Sequence, residues 1–160
     1  MKKTGIILMI MVGLTVLAFA NSYFNGNGQI KQIEIPKIIK IGDVTLDIEV
    51  ANTSATREQG LSGKIAKEGD PLGLGLGENE GLLFIFEKEG YYGFWMKDMN
   101  FAIDMVWIDK NKKIIHIEKN VATSTYPKIF NPNSSSLYVL EIPSGFLVKN
   151  NVKIGDFVAF

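Results

Sequence analysis

The chain has 160 residues, 46% of them hydrophobic and 21% charged, with seventeen basic and seventeen acidic side chains and no cysteine. That length suits one domain, and the apolar fraction excludes a wholly disordered chain. Balanced charge argues against a nucleic-acid binder, and the lack of cysteine removes disulfides, thiol catalysis, iron–sulfur clusters and cysteine-bound zinc.

The chain opens with Lys2 and Lys3 before an apolar run from Gly5 to Ala20 that closes Ala18-Phe19-Ala20. This is the pattern of a secretory leader with an A-x-A cleavage site, and residues 1–20 are expected to be a signal peptide or an N-terminal membrane anchor. The sixteen apolar residues would reach about 24 Å as a helix, short of a bilayer core of about 30 Å. Cleavage after Ala20 is therefore favoured, with the membrane engaged only through residues 5–20 if the segment is kept. Either outcome places the remainder outside the cytoplasm, whether secreted, periplasmic or anchored facing outward. Without residues 1–20 the chain carries fifteen bases against seventeen acids, which suits neither nucleic acid nor anionic lipid.

Residues 21–37 open with a polar, glycine-rich Asn21–Gly28 and are expected to be a flexible spacer, leaving 38–160 as one β-rich domain. Val44, Leu46, Ile48 and Val50 alternate with polar residues as in a half-buried strand. Ser54–Lys64 reads as a short helix capped by Ser54 or Thr53. Gly69–Gly81 is a glycine-rich loop, and its GLGLG lacks the flanking strand, helix and Lys-Ser/Thr pair of a nucleotide loop. Leu82–Phe86, the aromatic Tyr91–Lys97, Asp104–Asp109, Lys113–Glu118, Leu137–Ile142 and Asp156–Phe160 read as strands, with a hairpin turn at Asp109–Lys112. Phe146–Asn151 suits one helical turn. Short, closely spaced strands with little helix indicate an all-β, mainly antiparallel fold, a compact jelly-roll-like sandwich or barrel with one or two short helices.

Four stretches then stand together. They are Arg57-Glu58-Gln59-Gly60-Leu61, Gly81–Phe86, Phe94-Trp95-Met96-Lys97 followed by Ile103-Asp104, and Tyr138-Val139-Leu140-Glu141 with Gly145 and Gly155-Asp156. In order and spacing they resemble the motifs of domain-of-unknown-function family 192, an uncharacterised prokaryotic family whose members are often exported. The resemblance implies a compact, mostly antiparallel β structure over roughly Ile38–Phe160. It implies no catalytic residue, because no activity is established for the family. The chain departs from the family pattern at Ser62, at Asp98-Met99 and at Ala102.

Six residues are candidates for a ligand-binding or structural pocket: Arg57, Trp95, Lys97, Asp98, Asp104 and Glu141. Asp104 shares a strand face with Val106 and Ile108, and Glu141 shares one with Leu137 and Val139. Each carboxylate thus sits on an apolar face, where it needs a partner or a solvated pocket. Arg57 is the only arginine beside sixteen lysines. Its planar fork suits a carboxylate, with Glu141 or Asp104 the expected partner. Trp95 and Lys97 share one face opposite Phe94 and Met96; either they offer an indole beside an ammonium, or Trp95 is core with Lys97 at the edge. Asp98 could pair with a nearby lysine. His116, the one histidine, is expected opposite Ile115 and Ile117 as a surface or groove residue, too isolated for a metal site or a hydrolase triad.

No cofactor and no metal is expected. The features suit a non-catalytic, extracytoplasmic domain that binds a small molecule or an envelope protein. Two alternatives stand beside it: an enzyme using Asp104 and Glu141 as an acid/base pair on an envelope glycan or similar substrate, which requires both carboxylates in one open groove, and a purely structural envelope protein.

Overall fold

A computed structural model describes residues 22–24, 30–32, 35–65 and 76–160. The expected leader at 1–20 lies outside these residues, as do positions 69–75 of the glycine-rich loop. The chain divides into two units, 1–34 and 35–160. In the first, β1 (Ser22–Phe24) pairs antiparallel with β2 (Ile30–Gln32), so part of the expected spacer is strand. Among the described residues no helix is long and apolar enough to cross a membrane.

The second unit is built on one curled sheet. Its strands are β3 (Ile38–Ile41), β4 (Val44–Ala51), β5 (Glu80–Gly90), β6 (Ile103–Ile108), β7 (Ile114–Val121), β8 (Ser136–Pro143) and β9 (Val158–Ala159). Spatially they run β7-β6-β8-β5-β4-β3-β9, antiparallel except for the β4–β5 pair. The helices are α1 (Ser54–Gln59) and α2 (Phe146–Lys149). Thr53 rather than Ser54 caps α1, accepting from the Thr56 N–H while the Thr56 hydroxyl accepts from the Thr53 N–H. The fold is thus mostly β with two short helices, in one sheet rather than the two of a sandwich.

The sheet nearly closes on itself. β9 pairs with β3, while the residues just before it reach the opposite edge. There Phe157 bridges Lys113, Gly155 N–H donates to the Ile114 carbonyl at 2.9 Å, and Ile114 N–H donates to the Asp156 carbonyl at 2.8 Å. The curl gives the sheet an inner and an outer face. Ile39, Leu46, Leu83, Val106, Ile108 and Leu140 fill the inner one, together with Phe146 and Leu147 of α2. Phe84, Met105, Trp107 and Val139 belong to the outer face, which is covered by Leu61, Met96, Phe101 and Phe130 from the connections. All six residues of β6 are buried, as a strand covered on both faces requires.

Two irregularities correct the sequence reading. The β6–β7 register steps from Trp107↔His116 to Ile108↔Ile114, which leaves Ile115 as an extra residue. Strict alternation breaks there. Ile114 and Ile117 pack on the same inner core, whereas Ile115 packs against the outer one. Second, Tyr91–Lys97 is not a strand but a connection held by a single bridge, Phe94↔Phe130. Gly93 explains the close approach: a Cβ there would stand 2.6 Å from Ile129 Cγ2 and 2.7 Å from Asn131 Oδ1.

Candidate functional site

The two carboxylates expected to matter stand on neighbouring strands, one on each face. Asp104 is opposite Ile142 and Glu141 is opposite Met105. Alternation therefore sends Asp104 inward with Val106 and Ile108, and Glu141 outward with Val139 and Met105. No acid/base pair can be assembled from carboxylates separated by the sheet. This corrects the alternative reading of a joint catalytic centre.

Asp104 is a structural carboxylate. It is 0% exposed and accepts three backbone N–H groups. Asn120 donates to Oδ1 at 2.7 Å, Gly145 to Oδ1 at 3.3 Å, and Leu147 to Oδ2 at 2.9 Å. The first comes from a bulge in β7, where Asn120 takes a left-handed φ of 51°. The others are orphan donors at the start of α2, whose Gly145 N-cap has no side-chain oxygen of its own. Asp104 is thus the remote cap of α2 and ties it to the β6–β7 pair.

Glu141 has no such support. It is 4% exposed, and among the described residues its Oε2 is the buried side-chain polar atom without a hydrogen-bond partner. Burial pushes its carboxyl up to about 8, opposed only by the nearby charge of Lys64. The group is therefore mostly protonated at neutral pH. It lies at an open cleft of about 340 Å³, within the size range of small-molecule sites.

The cleft wall is mainly aromatic. β5 contributes Phe84 and Phe86, and the 91–99 connection contributes Tyr91, Tyr92, Phe94, Trp95 and Met99. Their positions are fixed by contact. Phe84 meets Phe94 edge-on at 4.7 Å, Phe94 meets Trp107 at 5.9 Å, and Phe86 stacks on Tyr92 at 3.4 Å. The buried Trp107 indole donates to the Tyr92 carbonyl at 2.8 Å, and the Tyr92 hydroxyl donates to the Lys88 carbonyl at 2.7 Å. Burial, and then the charge of Glu87, raise the Tyr92 phenol above its ordinary value. The other wall is the end of α1. Gly60 has a φ of 50° and its Cβ position lies 3.3 Å from the Phe84 ring, so a side chain there would be both strained and crowded.

Arg57 does bridge α1 to the sheet, but its acid is neither Glu141 nor Asp104. One guanidinium nitrogen donates to the Asn52 and Ile85 carbonyls at 2.9 and 2.8 Å, and another meets Glu87 Oε1 at 3.1 Å. The group also lies 5.2 Å from the Phe86 ring centre. A hydrogen bond from its own backbone N–H, and then Arg57, hold Glu87 below the usual carboxylate range.

Arg57, Trp95 and Glu141 thus share one cleft. Lys97 and Asp98 line an adjoining groove that shares Glu58, Gln59, Ser62 and Trp95 with it. Trp95 is 49% exposed, so it is a rim residue rather than core, with Lys97 Nζ 5.9 Å from its ring centre. Asp98 makes no ion pair among the described residues; its carbonyl accepts the Gly63 N–H at 2.8 Å. Ser62, where the resemblance would place Met, donates to the Lys97 carbonyl at 2.9 Å and joins the two walls. His116 is half-buried on the outer face, 3.3 Å from Glu118 and edge-on to Trp107. No group of three or more metal-ligating side chains occurs among the described residues. Sequence reasoning missed Phe84, Phe86 and Tyr92 as walls, although the aromatic density from 84 to 95 was the signal, and nothing in it singled out Glu87.

A family model, DUF192, described as an uncharacterized ACR, matches residues 37–160. No curated protein matches the chain. Among solved structures, a candidate transcription regulator from Sinorhizobium meliloti 1021 is similar with a TM-score of 0.63 and 22% identity, covering 86% of this chain and 89% of that one. A protein of unknown function from Novosphingobium aromaticivorans DSM 12444 gives 0.66 and 22%, covering 89% and 94%. At that identity the likeness establishes the fold. The family model covers 37–160, and residues of all four motif stretches (Arg57, Phe84, Trp95 and Glu141 among them) line one cleft: the chain belongs to domain-of-unknown-function family 192.

Proposed function

We propose that this chain is an exported, non-catalytic binding module of the cell envelope whose aromatic cleft takes a small ligand at Glu141. One observation carries the reading: among the described residues, a buried acid beside an open cleft has one carboxyl oxygen, Glu141 Oε2, without a hydrogen-bond partner. Burying an unpaired polar group costs about 1–3 kcal/mol, and an apolar side chain there would remove that cost. A ligand that donates to Oε2 supplies the hydrogen bond that the described residues do not. Export is read from the apolar run and the A-x-A ending of residues 5–20.

Amide spectra of the 15N-labelled chain, recorded against a library of small polar aromatic and aliphatic compounds, test the binding. Shifts should concentrate at Gly60, Tyr92 and Trp95 and weaken in Trp95→Ala, which alters an exposed side chain. Perturbations confined to other surfaces, or none, would refute the reading. Fractionation with N-terminal sequencing tests export: a mature chain beginning at Asn21 is expected, and retention of the whole chain in the cytoplasm would count against it.

A further inference from the structure

Charge pairing around the cleft narrows the kind of ligand. Two of the cations around the cleft already have an acid of their own. Arg57 is paired with Glu87 at 3.1 Å and Lys64 with Glu49 at 2.6 Å. Glu58, on the cleft wall, makes no ion pair among the described residues, and Glu141 makes none either. Lys97 at the Trp95 rim makes no ion pair among the described residues either, so pairing leaves Glu58 and Glu141 as two acids without a paired base beside one unpaired rim lysine.

The rings point the same way. Aromatic faces carry negative potential, which attracts cations and repels anions. Two cations of the chain already lie near cleft rings, Arg57 at Phe86 and Lys97 at Trp95. Around Glu141 itself no cation among the described residues supplies a hydrogen bond to Oε2, and both of its flanking residues in the sheet, Leu82 and Met105, are apolar. Its Oε2 therefore lacks a donor among the described residues while the walls favour positive charge.

We propose that the cleft binds a small organic cation, a primary ammonium on a compact apolar body, with its N–H groups on the Glu141 carboxylate and its body among the rings. This deepens the binding reading above and rests on it. The step balances as an exchange: the Glu141 carboxyl gives its proton to solvent, and the ammonium takes its place as the positive partner.

The groups that face Glu141 allow that exchange to be read by pH. Glu49 of β4 and Glu118 of β7 share its row across the sheet, each two strands away through Leu82 and Met105. Arg57 and Glu58 of α1 and Tyr91 and Tyr92 of the connection line the same cleft, Glu87 of β5 pairs with Arg57, Lys64 acts on Glu141 through its charge, and Lys97 and Asp98 line the adjoining groove. Asp104 is on the far face. Of these, Glu141 is the acid whose burial carries its titration up to about 8; His116, beside Glu118 on the same face, is retained in Glu141→Gln, so the difference between the two chains isolates Glu141.

Calorimetric titration of the whole chain with benzylammonium chloride tests the proposal, with benzyl alcohol, benzoate and methyl glucoside as matched neutral, anionic and polyol probes. Benzylammonium should bind at least tenfold more tightly than the other three. Its affinity should rise about tenfold per pH unit from pH 6 to 7 and level off near 8, because a proton must leave before the pair forms. Repeating the titration at pH 6.5 in two buffers of different ionisation heat should show about one proton released per ligand. Glu141→Gln, an uncharged replacement of the same shape, should weaken benzylammonium at least tenfold and remove the pH dependence, with circular dichroism confirming the fold. Equal or tighter binding of benzyl alcohol or methyl glucoside, affinity independent of pH, or no binding of benzylammonium overturns the cation. The amide-shift screen then decides separately: if compounds of another class still map to Gly60, Tyr92 and Trp95, the binding reading stands without the cation; if none does, both fall.

Discussion

Asp104 and Glu141 are one position out of register on adjacent antiparallel strands, both are almost fully buried, and they do opposite things. Asp104 faces inward, where a β7 bulge and the start of α2 bring three N–H donors to it. Glu141 faces outward, where the neighbouring side chains are Leu82 and Met105 and no donor reaches its Oε2. A buried carboxyl that accepts several N–H bonds ties the backbone around it together, whereas a buried acid without them is pushed toward keeping its proton. The difference lies in the backbone around each group, since both are short-chain carboxylic acids on buried strands.

Removing Asp104 should have the largest effect. Asp104→Ala takes the acceptor from three backbone N–H groups, that of Leu147 buried and those of Asn120 and Gly145 partly so; at about 1–3 kcal/mol for a buried group we expect a loss of about 3–4 kcal/mol, read as a lower urea midpoint at unchanged slope. Asp104→Asn should recover part of it, since one amide oxygen still accepts.

Glu141 should show the reverse sign. Its folded carboxyl titrates near 8 against an ordinary 4.5. Below about pH 4 both states hold the proton and its burial is tolerated; from there to about 8 only the folded state does, so stability falls as pH rises. Relative to Glu141→Gln, the native chain should lose about 1 kcal/mol per pH unit across that window, and urea unfolding at pH 5, 6, 7 and 8 measures it. A flat difference would show that burial does not hold the proton on Glu141.

Arg57→Lys sharpens the comparison on the cleft side. The charge stays, but one ammonium cannot serve the Asn52 and Ile85 carbonyls and Glu87 together. A loss of about 1–2 kcal/mol is expected, with hydrogen exchange faster at α1 than at α2. Lys64→Ala should change stability least, by no more than about 0.5 kcal/mol for a solvent-facing pair. Its charge is what lowers the Glu141 titration, so the pH profile of stability should shift to higher pH.

Much of this arrangement was legible from local patterns. Alternation placed Asp104 with Val106 and Ile108 and Glu141 with Val139, as observed. It could not say whether those two faces coincide, because the offset between strands is set by long-range pairing, and a shift of one residue exchanges the faces. The same limit hid the partner of Arg57, since Glu87 reaches it only after β5 has paired beside β4. Ile115 was misplaced because a bulge leaves no mark in a run of Ile-Ile-His-Ile. Tyr91–Lys97 read as a strand from its aromatic content, but its backbone finds a partner only at Phe94. The cleft aromatics were visible as residue types and invisible as a wall.

The placement of the two tryptophans gives the molecule a built-in pair of optical probes. Trp107 is 0% exposed and hydrogen-bonded beneath the cleft, whereas Trp95 is 49% exposed at its rim. Their emission should differ in colour, blue for the first and red for the second, and iodide should quench only Trp95. Loss of the blue component then marks unfolding, and protection of the red one marks occupancy of the cleft. A single fluorescence titration can therefore separate a compound that fills the site from one that merely loosens the protein.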